Sequence, residues 1–223
     1  MMRNIFKILK RKDVGSIGIG AMIVFISMVL VAGIAASVLI QTSAKLEIQA
    51  MATGQETTNE VSGGIAVYGV VGYTVSSTQD ISKLAIGIRT RSGSEGIDLS
   101  EAYVELSDTN KKVVLKYSSS YFSDPDGQDN LFGAAVFPDE GDNPASEFGI
   151  VVVEDGDDSI SVSTSPMINR GDRVYLCINA TGCFGDIPER TDVWGIVVPE
   201  LGSPGMITFR TPASYTENVM DLQ

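Results

Sequence analysis

The sequence predicts an α+β chain: one long N-terminal hydrophobic helix followed by an antiparallel β-sandwich. Three observations carry that prediction. Residues 16–44 form a run of 29 uncharged positions, most of them Ile, Val, Leu, Met, Ala or Phe. A helix of that length is long enough to cross a bilayer. From residue 62 onwards the pattern changes to β-branched runs punctuated by Gly, Asp, Asn and Ser, which marks short strands joined by turns. The roughly 160 residues beyond that point suffice to bury a core between two sheets, as in an immunoglobulin-like sandwich.

The N-terminal element comes first. Residues 1–15 carry five positive charges (Arg3, Lys7, Lys10, Arg11 and Lys12) against Asp13 alone. The positive-inside rule keeps this segment cytoplasmic and places the rest of the chain outside the membrane. An ordinary secretory signal has a shorter apolar region with a small-residue cleavage site at its far end. This run is longer, and it passes directly into the polar, helix-permissive stretch KLEIQAMA at 45–52. A plain membrane anchor would also satisfy these facts.

The apolar residues of this helix go all the way round, so it belongs in lipid or among many like helices. About fifteen large apolar side chains, at roughly 1.5–3 kcal/mol each, make water a prohibitive alternative. Transfer from lipid to a helix bundle costs little, because lipid tails and apolar helices solvate Leu and Val about equally well. Ala21, Ser27, Ala32, Gly33, Ala35, Ala36 and Ser37 are small enough to allow close helix–helix approach.

The sequence SGG at 62–64 ends the helix. Candidate strands then follow at 65–75, 84–89, 102–106, 113–117, 149–154, 159–164, 173–178, 194–198 and 206–210, with turn sequences between them. No internal repeat is visible. The organisation is therefore a leader at 1–15, a hydrophobic helix at 16–61 and one β domain at 62–223.

Composition excludes several classes of function. The formal net charge is −12, and the body beyond residue 15 holds 11 positive against 27 negative charges. So acidic a surface is unsuited to neutralising phosphates, which argues against a nucleic-acid partner. There is no His, which removes histidine triads, imidazole bases and His-ligated zinc. Two Cys are too few for a zinc ribbon or a disulfide-dense scaffold. No pair of carboxylates is singled out for acid–base work, Ser82 and Lys83 point to opposite faces of a strand, and no Gly-rich phosphate loop opens a soluble helix. The sequence therefore predicts no enzyme and requires no cofactor.

Three further features are candidate sites. Asn179 opens the only N-x-[ST] triplet, on the side of the membrane where glycosylation occurs, and is either a glycan site or an unused surface triplet. Cys177 and Cys183 flank it. A disulfide between them would close a short loop, contributing roughly 2–3 kcal/mol; the alternative is one buried Cys and one loop thiol. Acidic clusters lie at 124–130, 139–143 and 154–158. Asp124, Asp126 and Asp129 in the first offer oxygen ligands around a Gly, as a hard cation such as Ca²⁺ requires. The spacing is not that of an EF-hand and no bidentate Glu follows, so solvated acidic turns account for these clusters better.

The junction and the tail carry a resemblance. A basic leader ending in Gly15, then SIGIGAMIVF at 16–25, resembles the class III signal peptide of archaeal flagellins (archaellins). Gly18 and Gly20 match the family's glycine pair, where bacterial type IV pilins usually carry Glu at the position of Gly20. The segments INRGDRVYL at 168–176, WGIVVPELGSP at 194–204 and ITFRTPASY at 207–215 are similar to the archaellin tail, and IDL at 97–99 to its early hairpin. The middle, about 107–165, resembles the family little.

The resemblance implies cleavage between Gly15 and Ser16 by the prearchaellin peptidase. It further implies export with the archaellum assembly machinery and polymerisation with itself or other archaellins into the swimming filament. The helices would form the filament core and the β domains its outer shell. The chain would be membrane-inserted as a preprotein, then extracellular. Asn179 would be a glycan acceptor of the kind the family commonly uses. An archaeal type IV adhesion pilin, or a membrane-anchored extracellular binding domain, are the alternative readings.

Overall fold

The computed structural model describes residues 12–76, 80–124, 130–138, 145–160 and 164–223, with the side chains of its first helix from Ile17 onwards. That helix, α1, runs from Lys12 to Ser62, 51 residues, or about 77 Å at 1.5 Å per residue. It begins four residues before the expected start at Ser16. The chain divides into two compact units, Met1–Gln55 and Glu56–Gln223.

In the first unit every described side chain of α1 is exposed, Ile, Val, Leu, Met and Phe included. Several of its polar side chains bond within the helix. Ser27 Oγ donates to the Ile23 carbonyl at 2.8 Å and Thr42 Oγ1 to the Val38 carbonyl at 2.7 Å, while Gln41 Nε2 donates to Ser37 Oγ at 3.3 Å. A helix that meets its own polar demand can sit in lipid or among apolar neighbours without an unpaired donor.

In the second unit the helix stops at the expected place. Gly63 N donates back to the Asn59 carbonyl at 2.9 Å, and Gly64 then takes φ 138°, a conformation that only glycine adopts readily. Eleven strands are described: β1 (Ile65–Tyr73), β2 (Lys83–Thr90), β3 (Ile97–Asp98), β4 (Tyr103–Ser107), β5 (Lys112–Ser123), β6 (Glu147–Glu154), β7 (Met167–Ile168), β8 (Arg173–Asn179), β9 (Asp192–Val198), β10 (Gly205–Arg210) and β11 (Val219–Asp221). A short helix α2 (Ala180–Phe184) follows β8.

Nine strands make one sheet in the order β10-β9-β4-β5-β6-β8-β2-β1-β11, and β3 pairs with β7 apart from it. The sheet curls into a half-barrel. Its two ends meet where Ile65 N donates to the Ser203 carbonyl at 3.0 Å, Ser203 N donates to the Gly63 carbonyl at 2.9 Å, and Thr208 N donates to Gln223 Oε1 at 3.0 Å.

Two expectations change here. The sheet is mixed, because β5 runs parallel to β6, and hydrogen bonding joins its strands into one curved sheet rather than two separate ones. The expected strand at 159–164 begins in a turn, with residues 161–163 outside the described set. Asp155 accepts from the backbone of Asp157, Ser159 and Ile160 at 3.0–3.3 Å, and such local bonds compete with strand pairing.

Alternation along the strands sorts the side chains into two clusters. Leu84, Ile86, Ile88, Val174, Leu176 and Ile178 enter the main core inside the curl. Ala85, Val151 and Cys177 enter a second cluster on the opposite face, closed by Phe132, Val136 and Phe137. Lys83 holds that cover, donating to the Phe132 carbonyl at 2.9 Å with its ammonium 4.7 Å from the Phe137 ring centre. Gly87 lies beneath the Tyr68 ring, where a Cβ would come within 2.6 Å of it. Strand β2 is thus buried on both faces, which explains its unbroken apolar run.

Candidate functional site

The dominant functional element is α1. Its apolar span is long enough to cross a membrane and is unburied within its own subunit, so its burial must come from lipid or from other chains. Gly15 and Ser16 lie in the first turns of this helix, and the leader residues 1–11 lie outside the described set. Gly15, Gly18 and Gly20 thin the helix at that junction, each costing about 1 kcal/mol of helix propensity relative to Ala.

Asn179 is half-buried and caps α2. Its Oδ1 accepts from Gly182 N at 3.1 Å, and its Nδ2 donates to the Pro138 carbonyl at 2.8 Å. The nitrogen to which a glycan would be joined is therefore held in a structural contact.

Cys177 and Cys183 are not bridged to one another. Cys177 points from β8 into the outer cluster, whereas Cys183, on α2, enters the main core. Burial pushes the Cys183 thiol up to about 11 and raises that of Cys177 further. Neither is disposed to form the thiolate that disulfide exchange needs.

Of the first acidic set only Asp124 is described, exposed just after β5; Asp126 and Asp129, like the cluster at 139–143, lie outside the described residues. The structure instead gathers Asp155, Asp157 and Asp172, with a carboxylate oxygen of each within 4.8 Å of the others. Asp172 is buried and accepts from Asn169 N at 2.8 Å and from Gly156 N at 3.3 Å. Bonds from Ser159 and Asn169 hold the Asp157 carboxyl below its ordinary range. Three anionic carboxylates at this spacing can hold a hard cation. Sequence reading named the cluster at 154–158 but missed Asp172, which is far along the chain and is brought in by the pairing of β6 with β8.

A long, apolar helix with no burial in its own subunit, leading directly into a β domain, defines a class of proteins whose helix is buried outside the subunit, in lipid or among other chains. Comparison with known proteins places the chain within that class. The archaeal-type flagellin family matches residues 15–209. Flagellin B2 of Methanocaldococcus jannaschii is 43% identical over 224 residues, covering 99% of this chain and 100% of that protein. Flagellin B1 of the same organism is 41% identical, over 99% of this chain and 100% of the relative.

The crystal structure of the archaeal flagellin FlaB1 of M. jannaschii superposes with a TM-score of 0.64 at 35% identity, covering 72% of this chain and 97% of that one. The archaeal flagellum of Methanospirillum hungatei strain JF1 shares the fold alone, with a TM-score of 0.60 at 16% identity over 91% of this chain and 98% of that one. The chain belongs to the archaeal-type flagellin family. It is a structural, non-catalytic subunit that polymerises into the extracellular archaellum filament used for motility, after a membrane-anchored preprotein stage.

Proposed function

We propose that residues 1–15 are a class III leader, removed between Gly15 and Ser16 by the prearchaellin peptidase before the archaellum assembly machinery adds the subunit. Residues 16–61 then form the filament core and 62–223 its outer shell. The observation that carries this reading is the start of the family match at residue 15, at the glycine between basic leader and apolar run. Removing the leader removes five positive charges that bind the cytoplasmic face, and it leaves a helix that lipid and bundle solvate equally.

Intact-mass and amino-terminal analysis of filaments sheared from native cells tests it. The expected result is a chain beginning at Ser16 within motile filaments. A full-length chain confined to the membrane fraction would overturn the cleavage reading. Gly15→Val is expected to abolish maturation and filaments together, and swimming filaments of the uncleaved variant would count against it.

Finer features belong to the same reading. The two halves of the curled sheet, joined through β5, correspond to the layers of an immunoglobulin-like sandwich. The cluster of Asp155, Asp157 and Asp172 is a Ca²⁺ site, supported by its three convergent carboxylates. Chelation is then expected to lower the thermal midpoint of the filament, with added Ca²⁺ restoring it; a midpoint indifferent to both would remove the site. A glycan on Asn179 requires its Nδ2 to be modified before it bonds to the Pro138 carbonyl, and excess intact mass would report it.

A further inference from the structure

Four arginines converge on a surface cleft of about 190 Å³: Arg89, Arg91, Arg170 and Arg173. This is a large share of the 11 positive charges in the body of a strongly acidic chain. The arrangement works against the subunit's own stability. Arg89 and Arg173 stand directly opposite on the antiparallel pair β2–β8, both exposed on the same face, and like charges in that position repel.

Internal compensation is partial. Arg173 lies 3.4 Å from Glu154, and Arg91 Nε donates to the Ile65 carbonyl at 3.3 Å. Asp172 also lines the cleft, but its oxygens face Gly156 N, Asn169 N and Ser159 Oγ. Among the described residues no ion pair is formed by Arg89 or Arg170.

The complementary anomaly lies at the end of α1. Glu56 and Glu60 are both exposed and one helical turn apart, which places two like charges on one face. They approach the C-terminal end of the helix, where the macrodipole disfavours anions, and the last turn carries no basic residue. Neither forms an ion pair among the described residues. Each carboxylate can be captured by a guanidinium group in a bidentate pair.

We propose that the arginine cleft of one subunit receives the Glu56–Glu60 face of α1 from a second copy of this chain. Each copy carries both halves of the contact on different elements, the cleft at β2 and β8 and the acid pair on α1, so successive copies can join head-to-tail. Such contacts leave a free donor and a free acceptor at the two ends, and they build open helical polymers. This inference rests on the filament role set out above and adds the pair of surfaces that sets neighbouring subunits in register.

The test is charge reversal in the full-length chain expressed in archaellated cells, with sheared filaments quantified by sedimentation. Arg89→Glu with Arg170→Glu, and separately Glu56→Lys with Glu60→Lys, are each expected to reduce filament yield about tenfold or more, since like-charge juxtaposition is strongly repulsive. Combining all four is expected to restore filaments. Normal filaments from either reversed pair, or no recovery in the fourfold variant, would overturn the proposal.

If a reversal leaves the membrane-held subunit sensitive to protease, the neutral pair Arg89→Gln, Arg170→Gln decides. Its filaments should be fewer and should respond less to added salt than the wild type's, because the ion pairs that salt screens have been removed. An unchanged salt response would also overturn the proposal. Absence of filaments from the wild-type chain in the same cells would count instead against the filament role itself.

Discussion

At the scale of single residues, Gly64 shows how one backbone conformation ends the helix and closes the sheet. Its φ of 138° and its parallel bridge to Ser203 join the end of α1 to the loop before β10. A Cβ there would sit 2.3 Å from the Ser203 carbonyl oxygen and 2.5 Å from its nitrogen. Gly64→Ala is therefore expected to cost about 1–3 kcal/mol, lowering the thermal midpoint of the detergent-held subunit by roughly 3–10 °C. An unchanged midpoint would show that this junction does not constrain the β domain. Asn179 carries a different lesson at the same scale. Its triplet is legible as a glycosylation sequon, yet the same side chain serves as the N-cap of a five-residue helix. One local motif supports both uses, and only the fold reveals the contact with Pro138.

At the scale of elements, composition and function coincide most directly in α1. Its apolar residues surround it, so a charge anywhere along the middle of the run enters lipid or a bundle unpaired. Val29→Asp is expected to prevent filament assembly while the β domain keeps its native near-ultraviolet circular dichroism. Loss of that signal together with filaments would refute the separation of assembly from folding. The strands divide by how local their causes are. Strands β1, β2, β8, β9 and β10 follow from alternation or unbroken apolar runs bounded by turns, and they lie where the pattern puts them. Strand β5 runs on to Ser123 through Ser118, Ser119 and Ser120, a polar stretch that falls in a register shift while Tyr117 and Phe122 on either side pair with β6. The two-residue strands β3 and β7, and the terminal β11, carry too few residues for periodicity to register. The turn beginning at Asp155 is the converse case, since its carboxylate collects three backbone donors and holds Ser159 and Ile160, where the expected strand starts, in a turn.

At the scale of the whole molecule, the order of strands and the faces they present decide which distant residues become neighbours. Cys177 and Cys183 are six positions apart, yet the strand pleat and the turn into α2 send them to different apolar clusters. Asp172 joins Asp155 and Asp157 because β6 and β8 are paired, and Arg89 faces Arg173 because β2 and β8 are paired in one particular register. The sequence by itself determined the basic N-terminal segment, the apolar helix, the helix stop at 62–64, the β character of the body and the family to which the chain belongs. The family is carried by the resemblance of motifs at both ends of the chain, and the others depend on composition or periodicity within a few consecutive residues. The tertiary structure alone decided the parallel β5–β6 pair, the curl that brings β1 against the loop before β10, and the aspartate and arginine clusters. Those features depend on strand register between segments far apart in the chain, and a shift of one residue would turn every side chain of a strand to the other face.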